Sequence, residues 1–141
     1  MKKKYVLALL TSVLVLSSLA LTGSKYMEDG VFKGESQSKY TGEPYWGQVT
    51  LTIKNDSVKL ISFQILDKNK NEVFGPDYER YFKNNAMYVD QCRNEVKGIK
   101  AYTESFRKTG NVDQVDAITG ATWSYNIFRD ALKDALKKAK R

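Results

Sequence analysis

The sequence predicts an α+β domain in which an antiparallel sheet carries helices packed on one face. Apolar and polar residues alternate over 48–54 and again over 61–65, which is the period of half-buried strands. Asn55, Asp56 and Ser57 lie between the two runs and favour a tight turn, so the pair is predicted to be an antiparallel hairpin. Two later segments repeat their apolar residues every three or four positions, as amphipathic helices do.

Shorter elements surround the hairpin. Residues 30–34 are predicted to be extended, 67–72 to form a polar loop, and 74–76 to break the chain again. An aromatic patch follows this break. Its members are Tyr78, Tyr81 and Phe82.

The first long helix is predicted over about 88–106. Its apolar residues share one face, on which Cys92 is expected to be a small core residue rather than a reactive thiol. Gly110 is placed to end the helix, and Gly98 inside it favours a break.

The last helix is predicted over about 124–140, with Ser124 as its N-cap. Polar residues face water on one side of it. Its buried stripe comprises Ile127, Phe128, Ala131, Leu132, Ala135, Leu136 and Ala139.

The amino terminus has the pattern of a secretory signal. Lysines at 2–4 precede an apolar stretch over 5–21 and three small residues at 22–24. Residues 21–23 resemble the lipobox of bacterial lipoproteins, but Ser24 stands where the lipid-bearing cysteine would be. We therefore predict a signal peptide or membrane anchor over 1–24, a single domain over 25–141, and an extracytoplasmic protein associated with the bacterial cell membrane. The anchor could be a lipid, an uncleaved helix or absent.

Composition excludes several kinds of chemistry. The chain has no histidine, so a Ser-His-Asp triad, a Cys-His pair and imidazole metal sites are impossible. A single cysteine cannot form an internal disulfide. The net charge of +7 includes the lysines at 2–4 and a basic cluster at the end of the last helix, so we expect no nucleic-acid partner.

Residues 116–124, Asp-Ala-Ile-Thr-Gly-Ala-Thr-Trp-Ser, lie in the loop that opens the last helix. The free amides and positive dipole at a helix start favour a phosphate. Gly120 and Ala121 are small enough for a ligand to approach the backbone. The alternative is an ordinary glycine-containing turn and cap before a helix.

This nonapeptide resembles the flavinylation signature of the FMN-binding domain family, and it matches every fixed position. The family includes the covalent-flavin subunits of sodium-pumping NADH:quinone oxidoreductase and ion-pumping ferredoxin:NAD oxidoreductase, and many single-domain exported proteins. Residues 29–34 resemble the family's opening strand, whereas 71–76 depart from its Thr-Pro-Gly loop. Pocket contacts from that loop are therefore not carried over.

The resemblance implies that Thr122 carries FMN through a phosphoester, installed outside the cytoplasm by a magnesium-dependent flavin transferase that uses FAD. It implies cofactor contacts from Thr119, Gly120, Ala121, Ser124 and Asp116. Flat apolar side chains are needed beside an isoalloxazine ring. We expect this role for Trp123, which adjoins the acceptor, and for Tyr45 and Trp46.

The chain is thus predicted to be a flavoprotein for electron transport at the membrane surface, with a membrane redox partner and with neither catalytic residues nor a metal of its own. We interpret it as a carrier rather than a stand-alone enzyme. Two alternatives remain open. One is a module that binds or senses FMN without a covalent bond, and the other is a surface protein without flavin.

Overall fold

The computed structural model of this protein describes residues 26–40 and 42–141. The predicted signal or anchor segment, 1–24, lies outside the described residues. None of the helices in the described part is long and apolar enough to span a membrane.

Four strands form one sheet in the described residues: β1 (Gly30–Gln37), β2 (Tyr45–Lys54), β3 (Ser57–Asp67) and β4 (Glu72–Val73). Their order in the sheet is the order in the chain, and each neighbouring pair is antiparallel. The predicted hairpin is β2–β3. Its two turn residues, Asn55 and Asp56, have φ values of 53° and 60°, as a type I′ turn requires.

Two long helices follow the sheet, α1 (Ala86–Thr109) and α2 (Thr122–Ala139). Short 3₁₀ helices at Pro76–Phe82 and Val112–Gln114 precede and follow α1. The side chain of Asn85 caps the start of α1, and Gly110, at φ 65°, ends it with a hydrogen bond from its N–H to the Phe106 carbonyl.

The prediction that Gly98 breaks α1 is wrong, because the helix is continuous through it. The glycine serves a close approach instead. A Cβ at Gly98 would lie 2.6 Å from Ala121 Cβ and 3.1 Å from Ser124 Oγ. Gly98 therefore lets α1 pack directly against the start of α2.

Both helices pack on the same face of the sheet, which confirms the predicted fold class. This face carries the alternating buried residues of the hairpin, Val49, Leu51, Ile53, Ile61 and Ile65. Phe128 of α2 contacts Phe63 of β3 and stacks on Tyr102 of α1. A single apolar layer between sheet and helices thus fixes the position of α2.

Asp67 corrects the prediction of a polar loop over 67–72. It is the last residue of β3 and fully buried. Its carboxylate accepts hydrogen bonds from Tyr78 Oη at 2.5 Å and from Lys70 Nζ at 3.1 Å. Burial opposes ionisation, but these hydrogen bonds outweigh it and lower the pKa of Asp67.

Candidate functional site

The first turn of α2 does not begin as the sequence predicts. The helix starts at Thr122, and Ala121 occupies the N-cap position without a side-chain hydrogen bond. Ser124 is the third helical residue rather than the cap, and it is fully buried. Its backbone N–H and its hydroxyl both donate to Glu95 Oε2 of α1, at 2.9 and 2.5 Å. The orphan donor that a local cap would satisfy is therefore satisfied by a neighbouring helix.

The loop before α2 is held at its base by Tyr102. The phenol donates to the Ala121 carbonyl at 2.8 Å and accepts from the Ile118 N–H at 3.0 Å. Gly120 has φ 84°, a left-handed conformation that favours glycine. A Cβ there would also lie 3.2 Å from Asn94 Nδ2. The loop thus has one conformation in which residues 116–120 are exposed and Thr122 emerges at the helix start.

Two adjoining hollows lie between α1, the loop before β2 and the start of α2. The narrower, about 270 Å³, is walled mainly by aromatic rings, and the wider, about 590 Å³, contains Gly120 and Thr122. They share the lining residues Tyr40, Gln91, Glu95 and Trp123. We call the two hollows together the aromatic cleft. Its remaining aromatic members are Tyr45, Phe74, Phe82 and Tyr88.

Trp123 is the central ring of the aromatic cleft. Its centroid lies 5.1 Å from that of Tyr45, edge to face, and 5.2 Å from that of Phe74. The indole Nε1–H lies 3.1 Å from Glu43 Oε2 and 3.3 Å from Ser38 Oγ, and Ser38 in turn hydrogen-bonds Glu43. The ring is therefore held on two sides and by its one donor.

The charge of the aromatic cleft is negative. Glu43, Asp90 and Glu95 line it, and among the described residues no lysine or arginine does. Glu95 is buried, with 3% of its surface exposed. An ordinary site for a free phosphate would present basic side chains. Here the donors in the lining include the hydroxyls of Tyr40, Tyr88 and Thr122 and the amide side chains of Gln91 and Asn94.

The chain matches the family described as the FMN-binding domain over residues 44–137. This is about two thirds of its length. The chain belongs to the FMN-binding domain family, and FMN is its cofactor. The described residues contain no group of three or more His, Cys, Asp or Glu side chains that could hold a metal ion.

A solved structure shows the same fold. The CPE2226 protein from Clostridium perfringens is similar to this chain with a TM-score of 0.63 and 17% sequence identity, over 80% of this chain and 88% of that one. At this identity the likeness concerns the fold alone. No curated protein matches the chain.

The aromatic cleft suits the isoalloxazine ring of FMN. Flat rings wall the narrower hollow, where an isoalloxazine ring needs apolar partners. The wider hollow is more polar and leads to the Thr122 hydroxyl, so a ribityl chain and a phosphate have room between the two. FMN supplies the redox chemistry, because its ring accepts and releases one or two electrons.

The structure brings together four of the residues expected at the FMN site. Gly120 and Thr122 line the wider hollow, Tyr45 lines the narrower, and Trp123 lines both. Thr122 is exposed, so its hydroxyl is accessible to an enzyme.

The other expected residues lie elsewhere. Ala121 and Ser124 are buried against α1, while Asp116 and Thr119 are exposed in the loop outside the lining of the cleft. Trp46 follows Tyr45 in β2 and so lies on the opposite face of the sheet. Its ring carries Lys68 Nζ at 3.4 Å from the centroid, and it does not line the cleft.

Sequence reasoning missed several lining residues. Phe74 falls in the segment that departs from the family loop, yet it packs on Trp123. On α1, Tyr88, Gln91 and Glu95 fall at spacings of three and four, which places them on one face that turns toward the cleft. The available signal was Glu95, an acidic residue within the otherwise apolar face of α1, which could have indicated a functional position.

Tyr45, which lines the aromatic cleft, belongs to a hydrogen-bonded group with Tyr78 and Asp67. Tyr45 Oη lies 3.0 Å from Tyr78 Oη, which donates to Asp67. Burial raises the pKa of Tyr45 and, together with the hydrogen bond to Asp67, raises the pKa of Tyr78 strongly. Cys92 also lines the aromatic cleft, where burial raises the pKa of its thiol to about 11, so it remains a neutral core residue as predicted.

A larger groove of about 950 Å³ lies elsewhere, between β4, the 3₁₀ helix Pro76–Phe82 and α1. It contains no residue of the nonapeptide. Two ion pairs lie in its lining, Arg80 with Glu72 and Arg93 with Glu79. Size alone therefore does not make it the cofactor site.

Proposed function

We propose that this protein is an exported electron carrier in which FMN is attached to Thr122 through a phosphoester. The observation that carries the proposal is the position of Thr122. It is the first residue of α2, its side chain is exposed, and it lines the same cleft as Trp123. A cofactor tethered there has aromatic rings within reach.

The charge of the aromatic cleft favours a covalent bond over simple binding. Free FMN carries a phosphate monoester with a charge near −2 at neutral pH, whereas a phosphodiester keeps one negative charge. The cleft presents three carboxylates and, among the described residues, no basic side chain to either form. Electrostatics would weaken non-covalent FMN, and a tether makes its retention independent of affinity.

The attachment reaction balances with FAD as the donor. The Thr122 oxygen attacks the phosphorus on the flavin side of the pyrophosphate, the bond to the bridging oxygen breaks, and AMP leaves. The hydroxyl proton passes to a base of the transferase. In this account the carrier contributes only the acceptor hydroxyl and its surroundings, so its partner during maturation is a flavin transferase.

The finished carrier holds and positions the cofactor while electrons pass through it. Trp123 and Tyr45 would flank the ring, and the first-turn amides of α2 would face the phosphodiester. We propose a membrane redox partner and a location outside the cytoplasm at the membrane surface. The signal pattern of residues 1–24 supports this location.

Intact-mass analysis tests the attachment. The wild-type chain, co-expressed with a flavin transferase in an exporting host, should gain the mass of FMN less one water. Thr122→Ala should lose this increment and keep its fold. Thr103→Ala is the matched control, because Thr103 lies on α1 outside both the nonapeptide and the cleft, and it should be modified fully.

Three results would change the proposal. A covalent flavin on Thr122→Ala would move the attachment site. A wild-type chain that binds FMN but gains no mass would support the non-covalent alternative, and one that binds no flavin at all would support a surface protein. A chain without residues 1–23, kept in the cytoplasm, should stay colourless, and full modification there would refute the compartment argument.

A further inference from the structure

Glu95 is a buried acidic side chain that lies outside the nonapeptide. It lies on the apolar face of α1 and is 3% exposed. No lysine or arginine forms an ion pair with it among the described residues. The hydrogen bonds that satisfy this buried carboxyl come from the start of α2, where Oε2 accepts from both the N–H and the hydroxyl of Ser124.

We propose that Glu95 is a positioning residue for cofactor attachment: it holds the first turn of α2 from α1, so that Thr122 and Trp123 face the aromatic cleft. The inference rests on the proposed attachment at Thr122. It adds a residue outside the nonapeptide to the acceptor site. It also names the contact through which that residue acts, the two hydrogen bonds to Ser124.

The start of α2 depends on this contact because the residue at its own N-cap position, Ala121, makes no side-chain hydrogen bond. Ala121 has no side-chain acceptor, and its Cβ lies next to Gly98 of α1. Tyr102 then holds the Ala121 carbonyl. Residues 95, 98 and 102 are three and four positions apart, so one face of α1 binds the segment that precedes and opens α2.

The geometry of the turn links Glu95 to the acceptor. Successive helical residues point about 100° apart, so when Ser124 is fixed toward α1, Thr122 and Trp123 must point elsewhere. In the structure these two side chains line the cleft. If the turn frayed or rotated, Thr122 would still be exposed but would no longer have a fixed direction relative to Trp123.

Steady-state kinetics of flavin attachment to the whole chain by the transferase test the inference. Glu95→Ala should lower kcat/KM for the transferase by about tenfold or more, since a small misplacement of a reacting group is costly. Glu95→Gln should restore most of the rate, because its amide oxygen can accept the same two hydrogen bonds. Ser124→Ala keeps the hydrogen bond from its backbone N–H to Glu95, so its kcat/KM should lie between those of the two Glu95 variants.

A matched variant separates positioning from stability. Asp134 lies toward the other end of α2, where it accepts from the Glu35 N–H and from Lys138. Asp134→Ala should be destabilised yet modified at the wild-type rate. Thermal unfolding of every variant gives the stability, and visible circular dichroism of the fully modified proteins reports on the surroundings of the flavin. Only the Glu95 and Ser124 variants should change that spectrum.

The outcomes are distinguishable. If wild type is modified and Glu95→Ala matches it in rate and in flavin spectrum, the positioning role is wrong while the attachment stands. If Glu95→Ala does not fold, Ser124→Ala decides, and a wild-type rate and flavin spectrum in that variant overturn the inference. If wild type never acquires a covalent flavin, the proposed attachment fails and the positioning role fails with it.

Discussion

Replacing Gly34 with alanine should destabilise the fold more than any other glycine-to-alanine change in the sheet. Gly34 lies in β1 where α2 crosses it. A Cβ there would lie 2.0 Å from the Ala131 carbonyl oxygen and 2.3 Å from the Ala135 nitrogen. Both are backbone atoms of a helix, so no side-chain rotation can relieve the contact.

The size of the effect follows from the distance that α2 must move. Ordinary contact begins near 3.4 Å, so the helix must retreat from β1 by about 1 Å or more. A gap of that width loses a quarter to a half of the dispersion attraction across the helix–sheet layer. We expect a loss of about 3 kcal/mol in the free energy of unfolding, which is at the upper end for an overpacked core.

Two other glycines provide the comparison. At Gly47 the Cβ would meet Ile127 Cγ2 at 2.2 Å, a methyl group of a buried side chain rather than a backbone atom of a helix, so Gly47→Ala should cost somewhat less than Gly34→Ala, about 2 kcal/mol. At Gly75 the nearest atom lies 3.9 Å away, and Gly75→Ala should be nearly neutral.

Urea unfolding of the three variants, followed by circular dichroism, measures the order. In thermal unfolding Gly34→Ala should melt roughly 10 °C or more below wild type. If Gly34→Ala were as stable as Gly75→Ala, α2 would not lie against β1 as described. The layer that positions the cofactor site would then be wrong.

Further predictions concern charge. The lowered pKa of Asp67 stabilises the fold above its usual value of 3.8, and this contribution should disappear as the pH falls through the lower folded-state pKa. The stability difference between wild type and Asp67→Asn should therefore be largest near neutral pH and shrink on acidification, and a constant difference would contradict it. Glu43→Gln keeps an acceptor for Trp123 Nε1 but removes a negative charge from the cleft, so it should raise the reduction potential of attached FMN. Glu35→Gln in β1 is the control and should leave the potential unchanged. If redox titration gives Glu43→Gln and wild type the same potential, the charge argument is refuted. Cys92 should react with a thiol reagent at pH 8 at least tenfold more slowly in the folded protein than in urea, because the thiol is 4% exposed with a pKa of about 11, and equal rates would show that the wall is open.

The sequence predicted the parts of this fold that depend on local periodicity. Alternating apolar residues predicted the buried face of β2 and β3, and the apolar stripe predicted the buried face of α2. The residue types at Asn55 and Asp56 predicted the turn between the strands. The nonapeptide predicted the cofactor because its small residues and hydroxyls match a family signature. These signals require no knowledge of which segments meet.

The misses share one physical cause, which is contact between distant segments. Ser124 has the composition of an N-cap, but Glu95 from another helix satisfies the donors instead. Gly98 has the composition of a helix breaker, yet it is needed where Ala121 approaches. Asp67 looks like a turn residue and is buried because Tyr78 donates to it from the 3₁₀ helix.

The absence of a side-chain cap at Ala121 explains why the nonapeptide has a small residue before Thr122. A conventional cap at position 121 would place a side-chain oxygen on the amide of residue 123 or 124, at the point where the phosphodiester is proposed to approach. It would also need room beside α1, where Ala121 is already buried next to Gly98. By capping from α1 through Glu95, the fold satisfies the Ser124 donors, while the amides of Thr122 and Trp123, which have no intrahelical partner, stay available to the phosphodiester proposed at Thr122. A small residue before the acceptor threonine is thus required by the helix packing as well as by access to the cofactor.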